Sequence, residues 1–152
     1  MRMTSLFPAP SCLRSGVLLA LSLLLASLAT ARAADGTLFR SLNPNVADLN
    51  QYQWRNRPVV IFAPSEKDAD YIRQIKMLEQ SRAALAERDI IVLSDTAPAK
   101  NGHLRSQLQP HGFEVVLVGK DGGIKIREKA PVSSEALLST IDRMPMRQND
   151  QD

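Results

Sequence analysis

Catalysis or binding needs side chains that ionise, coordinate or attack, and this chain gathers few of them in one stretch. The densest set is Ser65, Glu66, Lys67, Asp68 and Asp70. It directly follows an apolar run that reads as a strand, and the carboxyl end of a central strand is where open α/β sheets usually hold ligands. Carboxylates, a lysine and a hydroxyl placed there would suit acid–base work or a polar ligand. A purely structural reading has Asp68 capping the next helix, Asp70 complementing its dipole, and Glu66 and Lys67 in water. His103 and His111 offer two imidazoles, and Met144 with Met146 two thioethers of the kind that suits Cu(I). Spacing does not bring these four together, so no metal and no cofactor is expected. No serine has an identifiable histidine and acid partner. Trp54, with Arg55 and Arg57 nearby, would anchor a partner if exposed, but a lone Trp more often belongs to a core or its edge. The glycine-rich run Gly119-Lys120-Asp121-Gly122-Gly123 joins two apparent strands and lacks the trailing helix of a phosphate loop.

The single cysteine, Cys12, narrows the chemistry further. Met1 to Ala33 reads as an export signal: Arg2 and Arg14 supply the positive region, Gly16 to Ala29 the apolar run, and Ala31-Arg32-Ala33 the small residues of a cleavage site. Cleavage is expected after Ala33, with Ala31 as the alternative. The apolar run is shorter than the roughly 20 residues that cross a bilayer, so no stable anchor is expected once the signal is gone. Cys12 precedes that run and so cannot become the acylated N-terminus of a lipoprotein. The exported chain would then hold no thiol, which excludes disulfides, thiolate nucleophiles, thiol redox chemistry and cysteine metal sites. The whole chain carries 19 Lys and Arg against 16 Asp and Glu. Arg2, Arg14 and Arg32 leave with the signal and equalise the two signs, so the basic balance of the precursor does not point to nucleic acid. A periplasmic or extracellular monomer is expected, with a protein or small ligand of the cell envelope as partner.

The remaining chain has the length of one domain able to build its own core. Residues 34–53 read as an irregular N-terminal segment, 54–145 as the folded domain and 146–152 as a polar tail. Pro58 to Ala63 is continuously apolar and β-branched, the pattern of a strand covered on both faces. One amphipathic helix is expected over 67–87, with Ile72, Ile75, Leu78 and Leu85 inward. Ile90 to Leu93 gives a second buried strand, Asp95 to Gly102 a loop, and Leu104 to Leu108 a short helix before Pro110. Val115 to Arg127 reads as a hairpin whose Asp121-Gly122 supplies positive φ angles, its second strand having one wet face. Ser133 then caps a last helix with Leu137, Leu138 and Ile141 inward, ending near Pro145 with Met146 packed there. Arg147 is expected to dock on an acidic group. The order βαβαββα, with a right-handed parallel crossover and an antiparallel hairpin, makes an α/β three-layer fold, a mixed sheet of about four strands with helices on both faces.

That order, with its Lys-Asp-Gly turn in a terminal ββα, resembles the thioredoxin-like superfamily. The phrases Tyr52 to Gln74, Glu87 to Leu93, Gly112 to Arg127 and Ile141 to Gln148 resemble the family of domain of unknown function 4174. The resemblance spans nearly all of the chain after the signal. It implies a thioredoxin-like fold in exported bacterial proteins, related to domains of secreted animal proteins that also carry sushi repeats, and no established activity. Redox members keep one or two cysteines in the turn after the first strand, stabilised by the following helix. Here that turn is Pro64 to Asp70, with none. They also keep a cis-proline before the hairpin strand, a position held here by Glu114. The expected function is a non-catalytic binding or interaction module. The alternatives are a non-redox enzyme using the Glu66 to Asp70 edge, with His103 or His111 as acid or base, or a periplasmic copper or zinc carrier.

Overall fold

The computed structural model describes residues 38–149; the expected signal and its cleavage point lie outside them. Its centre is β2 (Arg57–Phe62), in which every residue is buried. Alternation divides that strand between two cores. Val59 and Ile61 face one side with Val92, Val115 and Leu117, while Val60 and Phe62 face the other with Leu93, Val116 and Val118. Each apolar face needs a cover.

Around β2 run β1 (Phe39–Ser41), β3 (Ile90–Asp95), β4 (Glu114–Val118) and β5 (Ile124–Glu128), in the order β1-β3-β2-β4-β5. The first three strands of that order are mutually parallel, and β4 and β5 are antiparallel to their neighbours. The mixed sheet is as expected, but it has five strands instead of about four. β1 lies in the segment expected to be irregular. Three residues are too few to show a period, and only the pairing of Phe39 with Val92 reveals the strand.

The first face is covered by α1 (Ala69–Gln80), α2 (Arg82–Glu87) and α4 (Ser134–Asp142), through Leu78, Leu85, Leu137 and Ile141. The single helix expected over 67–87 is two. At Ser81 the N–H donates to Leu78, three residues back, and the backbone leaves helical angles. Serine competes for local hydrogen bonds in this way and favours such breaks. Ile72, expected inward, is 53% exposed, and Gln74 is buried in the face that spacing had assigned to apolar residues. Gln74 earns its burial by clamping the approach to α4: its Nε2 donates to the Val132 carbonyl at 2.9 Å and its Oε1 accepts from the Val132 N–H at 2.7 Å. Ser134 adds a bond from its hydroxyl to the Met77 carbonyl at 2.8 Å.

The second face is covered by α3 (His103–Leu108) and by the chain before β2. Leu42 and Leu104 are buried there, with Val46, Leu49 and Tyr52 packed against them. Pro44 and Gly102 join these two covers. A Cβ on Gly102 would stand 3.1 Å from the Pro44 Cα, and the His103 N–H donates to the Pro44 carbonyl at 3.0 Å.

The hairpin has its two expected strands but not its expected turn. Only Gly122 has positive φ; its N–H donates to Gly119, and the Asp121 carboxylate accepts from Gly123 and Lys125. That is the arrangement of a three-residue loop with a bulge. The register slips between Leu117 and Val118. Ile126 therefore joins the first core while Ile124, two residues away, pairs with Val118 and stands 48% exposed. At the other end Pro145 opens α5 (Pro145–Asn149) where it was expected to end the last helix, because a proline suits a first helical position. The tail expected from Met146 thus begins as helix, and Arg147 docks on Glu87 at 2.9 Å as expected.

Arg88 holds Asp142 with two hydrogen bonds, 2.7 and 2.9 Å, tying the end of α4 to the corner between α2 and β3. The hydrogen bond from Arg88 holds the Asp142 carboxyl below the usual carboxylate range. A depressed folded-state pKa stabilises above the unfolded value and ceases to as pH falls through the folded one. Unfolding followed against pH is expected to show Asp142→Asn less stable than the parent at neutral pH, the gap closing in acid. A gap that is constant with pH would contradict the pairing. Gln74→Leu keeps the volume but strands both Val132 groups, so denaturant unfolding should show a loss of about 2 kcal/mol; parental stability would refute the clamp.

Candidate functional site

The carboxyl ends of β1, β3 and β2 define the edge to which the sequence points. The turn after β2 places Ser65, Glu66 and Lys67 in solvent and Asp68 and Asp70 half out of it. Asp68 caps α1, its Oδ1 accepting from the Tyr71 N–H at 3.0 Å, and Asp70 lies in the first helical turn. The Ser65 hydroxyl accepts from the Lys67 N–H at 3.2 Å. Of these five residues only Glu66 lines the cleft that opens beside the turn.

That cleft has a volume of about 410 Å³. Ser41 and Asn43 line it from the end of β1, Ser94 and Thr96 from the end of β3, and Glu66 and Lys100 from the loops on either side. Hydroxyls, an amide, the carboxylates of Glu66 and Asp95 and one ammonium give donors and acceptors for a polar ligand. No imidazole lines it: His103 and His111 are exposed, one opening α3 and the other preceding β4.

Beneath the cleft, on the second face of the sheet, runs a belt of charge that single residues in the sequence did not announce. Phe62 pairs with Asp95 on one side and Glu114 on the other. Arg105, from α3, lies over the Phe62 ring at 5.3 Å, donates to Asp95 Oδ2 at 2.9 Å and to its carbonyl at 3.0 Å. Glu114 is 1% exposed, and its Oε1 accepts from Arg127 Nε at 2.7 Å. Arg127 also donates to the Leu108 carbonyl at 2.6 Å. The two ion pairs bind α3 to the strand ends and to the hairpin, so the floor of the edge is fixed by structural charge. Val116 pairs with Arg127 across the hairpin, which sets Arg127 on the face that Glu114, two residues before Val116, also occupies; the meeting of Arg105 and Asp95 depends on how the loop folds back.

The four residues considered for metal do not converge. Met144 and Met146 line a different cavity at the opposite end of β2, beside Arg57, Lys120, Lys125 and Arg143, and a cationic wall repels a metal ion. Among the described residues no group of three or more His, Cys, Asp or Glu is placed to hold one. None of their helices is long and apolar enough to cross a membrane. Trp54, which a lone Trp's usual place would put at the core edge, is 64% exposed.

Residues 48–150 match the family model described as "Domain of unknown function (DUF4174)". Sushi repeat-containing protein SRPX of Rattus norvegicus is 28% identical over 119 residues, covering 67% of this chain and 26% of that protein. SRPX2 of the same organism is 29% identical with the same coverage. The chain thus spans about a quarter of the length of these curated relatives. The reduced 2-Cys peroxiredoxin of Plasmodium vivax superposes with a TM-score of 0.51 at 14% identity, over 68% of this chain and 85% of that one. This is a likeness of fold alone, and it places the sheet among thioredoxin-like sheets.

Removing Arg127 leaves the Glu114 carboxylate buried without its partner. Arg127→Met is expected to cost about 2 kcal/mol in thermal unfolding, and adding Glu114→Leu to recover most of it. If Arg127→Met unfolds at the parental temperature, the pair does not hold the edge.

Proposed function

This chain belongs to the family of the domain of unknown function DUF4174, and on that premise we propose that it is an exported, thiol-free module that binds a polypeptide partner in the cell envelope. The cleft at the carboxyl edge of the sheet is its contact surface. The observation that carries this reading is the turn after β2. In a thioredoxin-like sheet a thiolate there would do the chemistry, whereas Asp68 spends its carboxylate on capping α1 and Glu66 faces the cleft. The chain's one cysteine lies far upstream at Cys12.

Three further features support binding. The cleft presents Ser41, Asn43, Ser94 and Thr96 on strand ends and the segments that follow them, groups that match the donors and acceptors of a peptide backbone. Its floor is braced by Arg105 and Asp95, and a rigid floor lowers the ordering cost of association. The matched domain makes up only about a quarter of the sushi repeat-containing relatives, the proportion of a module within a longer chain. Export rests on the charge and apolar pattern of Met1 to Ala33.

A photo-crosslinking side chain placed at Glu66 or Thr96 is expected to trap a discrete envelope protein in living cells, and one placed at Lys129, on the far edge of the sheet, is not. Thr96→Arg, which fills the cleft, should abolish the adduct formed at Glu66. Equal trapping at all three positions, no polypeptide adduct at all, or an adduct indifferent to Thr96→Arg would reject the reading.

A further inference from the structure

A second cavity, of about 220 Å³, opens on the other side of the carboxyl edge. Phe39, Tyr71 and Ile75, which pack against the first core, wall it, and Glu79 lines it from α1. Ser41, Glu66, Ser94 and Thr96 line both this cavity and the cleft. The two hollows therefore flank one line of backbone, the end of β1.

That strand is outermost in the sheet and bonds on one side only, to β3. The Leu42 N–H donates inward to the Ser94 carbonyl at 2.8 Å. Bonding direction alternates along a strand of a parallel pair, so Arg40 also bonds β3, while Phe39 and Ser41 turn their N–H and C=O groups to the open side. Groups of this kind recur about every 6.6 Å, two residues of rise, the interval at which another extended backbone presents its own. An exposed strand edge is a template for pairing, and charges and bulges guard edges that must not pair. The other edge is guarded: β5 carries Lys125 and Arg127, and its register with β4 slips. β1 pairs with β3 without a slip and leaves Ser41 exposed between the hollows. Three residues offer only two outward sets of groups, so side chains in the flanking hollows must supply the rest of a contact.

The carboxylates narrow what would fit. Glu66 and Glu79 have no ion-pair partner among the described residues, whereas Arg40, which lines the second cavity, and Arg82, 4.9 Å from the Phe39 ring centroid, are each engaged already. A Lys or Arg lays its stem on apolar walls and keeps its charged head at their rim.

We propose that the polypeptide partner enters this edge as an extended strand beside β1. It pairs with the open groups of Phe39 and Ser41 and lays one Lys or Arg over Phe39, Tyr71 and Ile75 toward Glu66 and Glu79. Its next residue, small and polar, faces the cleft, because successive side chains of a strand point to opposite sides. This mode rests on the reading of the carboxyl edge as a polypeptide contact surface and adds the partner's conformation and charge.

The test uses the full chain in living cells with the photo-crosslinking side chain at Thr96. Ser41→Pro removes one outward N–H and none that bonds β3, a place where a strand tolerates proline. It is expected to abolish the Thr96 adduct, and Ser41→Ala, which keeps the N–H, to retain it. Glu79→Lys should reduce the adduct roughly fivefold through like-charge repulsion. Thermal unfolding near the parental temperature checks that Ser41→Pro folds. If it does not, amide exchange at Phe39 and Ser41 decides: fast in the free chain, and about tenfold slower or more with the trapped polypeptide bound. An adduct that survives in folded Ser41→Pro, or edge amides already slow in the free chain, would overturn strand addition and leave the contact surface standing. An indifferent Glu79→Lys would overturn the basic side chain, and an adduct of two copies of this chain would replace the partner with self-association. No adduct in the parent would remove the underlying reading and the strand with it.

Discussion

A strand with no residue in water must be covered twice, and β2 imposes that condition on the rest of this chain. One cover is conventional: α1, α2 and α4 lay their leucines and isoleucines over Val59 and Ile61. The other is assembled from a short helix and from a segment with little regular structure, whose Leu42, Val46, Leu49 and Tyr52 complete the core over Val60 and Phe62. Apolar burial, at about 25 cal/mol per Å² of surface removed from water, is what holds such a segment in place. The same condition fixes the place of both end cavities, since the two ends of β2 are the only parts of the strand that reach polar surroundings. Phe62 ends beneath the cleft and Arg57 begins beside the cavity that Met144 and Met146 line.

The positions at which the thioredoxin-like resemblance implies redox chemistry in other members hold charges with structural duties in this chain. Asp68 satisfies an N–H at the start of α1, and Glu114 closes an ion pair with Arg127. Together with Arg105 and Asp95 they turn the carboxyl edge into a braced platform. A buried carboxylate is costly unless paired, so each charge in the belt commits its partner to staying in place. On the proposed reading that braced platform is the surface a polypeptide would meet.

Much of this fold was legible in the residues. The runs Pro58 to Ala63 and Ile90 to Leu93 declared buried strands by composition and Val115 to Val118 the first strand of a hairpin, and Asp68 and Ser133 declared helix starts through capping chemistry that is local. The departures share one cause, dependence on contacts distant in sequence. β1 exists because β3 lies beside it. Gln74 is interior because Val132 supplies both of its partners, which a helical period cannot reveal. Ile124 turns away from Ile126 because of a bulge, and a period of two hides it. For the site, the edge named from the sequence opens on a cleft that one of the five named residues, Glu66, lines. The sequence did not show Ser94 and Thr96 as lining, Arg105 as brace, or the convergence of Met144 and Met146 on Arg57, since each needs the loops to close.

The central claim is that the carboxyl edge is a contact surface for another polypeptide. Amide hydrogen exchange on the chain, free and with a polypeptide captured by crosslinking at Glu66 bound, tests it most directly. Exchange should slow at residues 64–68 and 94–102 on binding and remain unchanged through β5 and α5. Protection confined to the far end of the sheet, with the edge exchanging as in the free chain, would contradict the account.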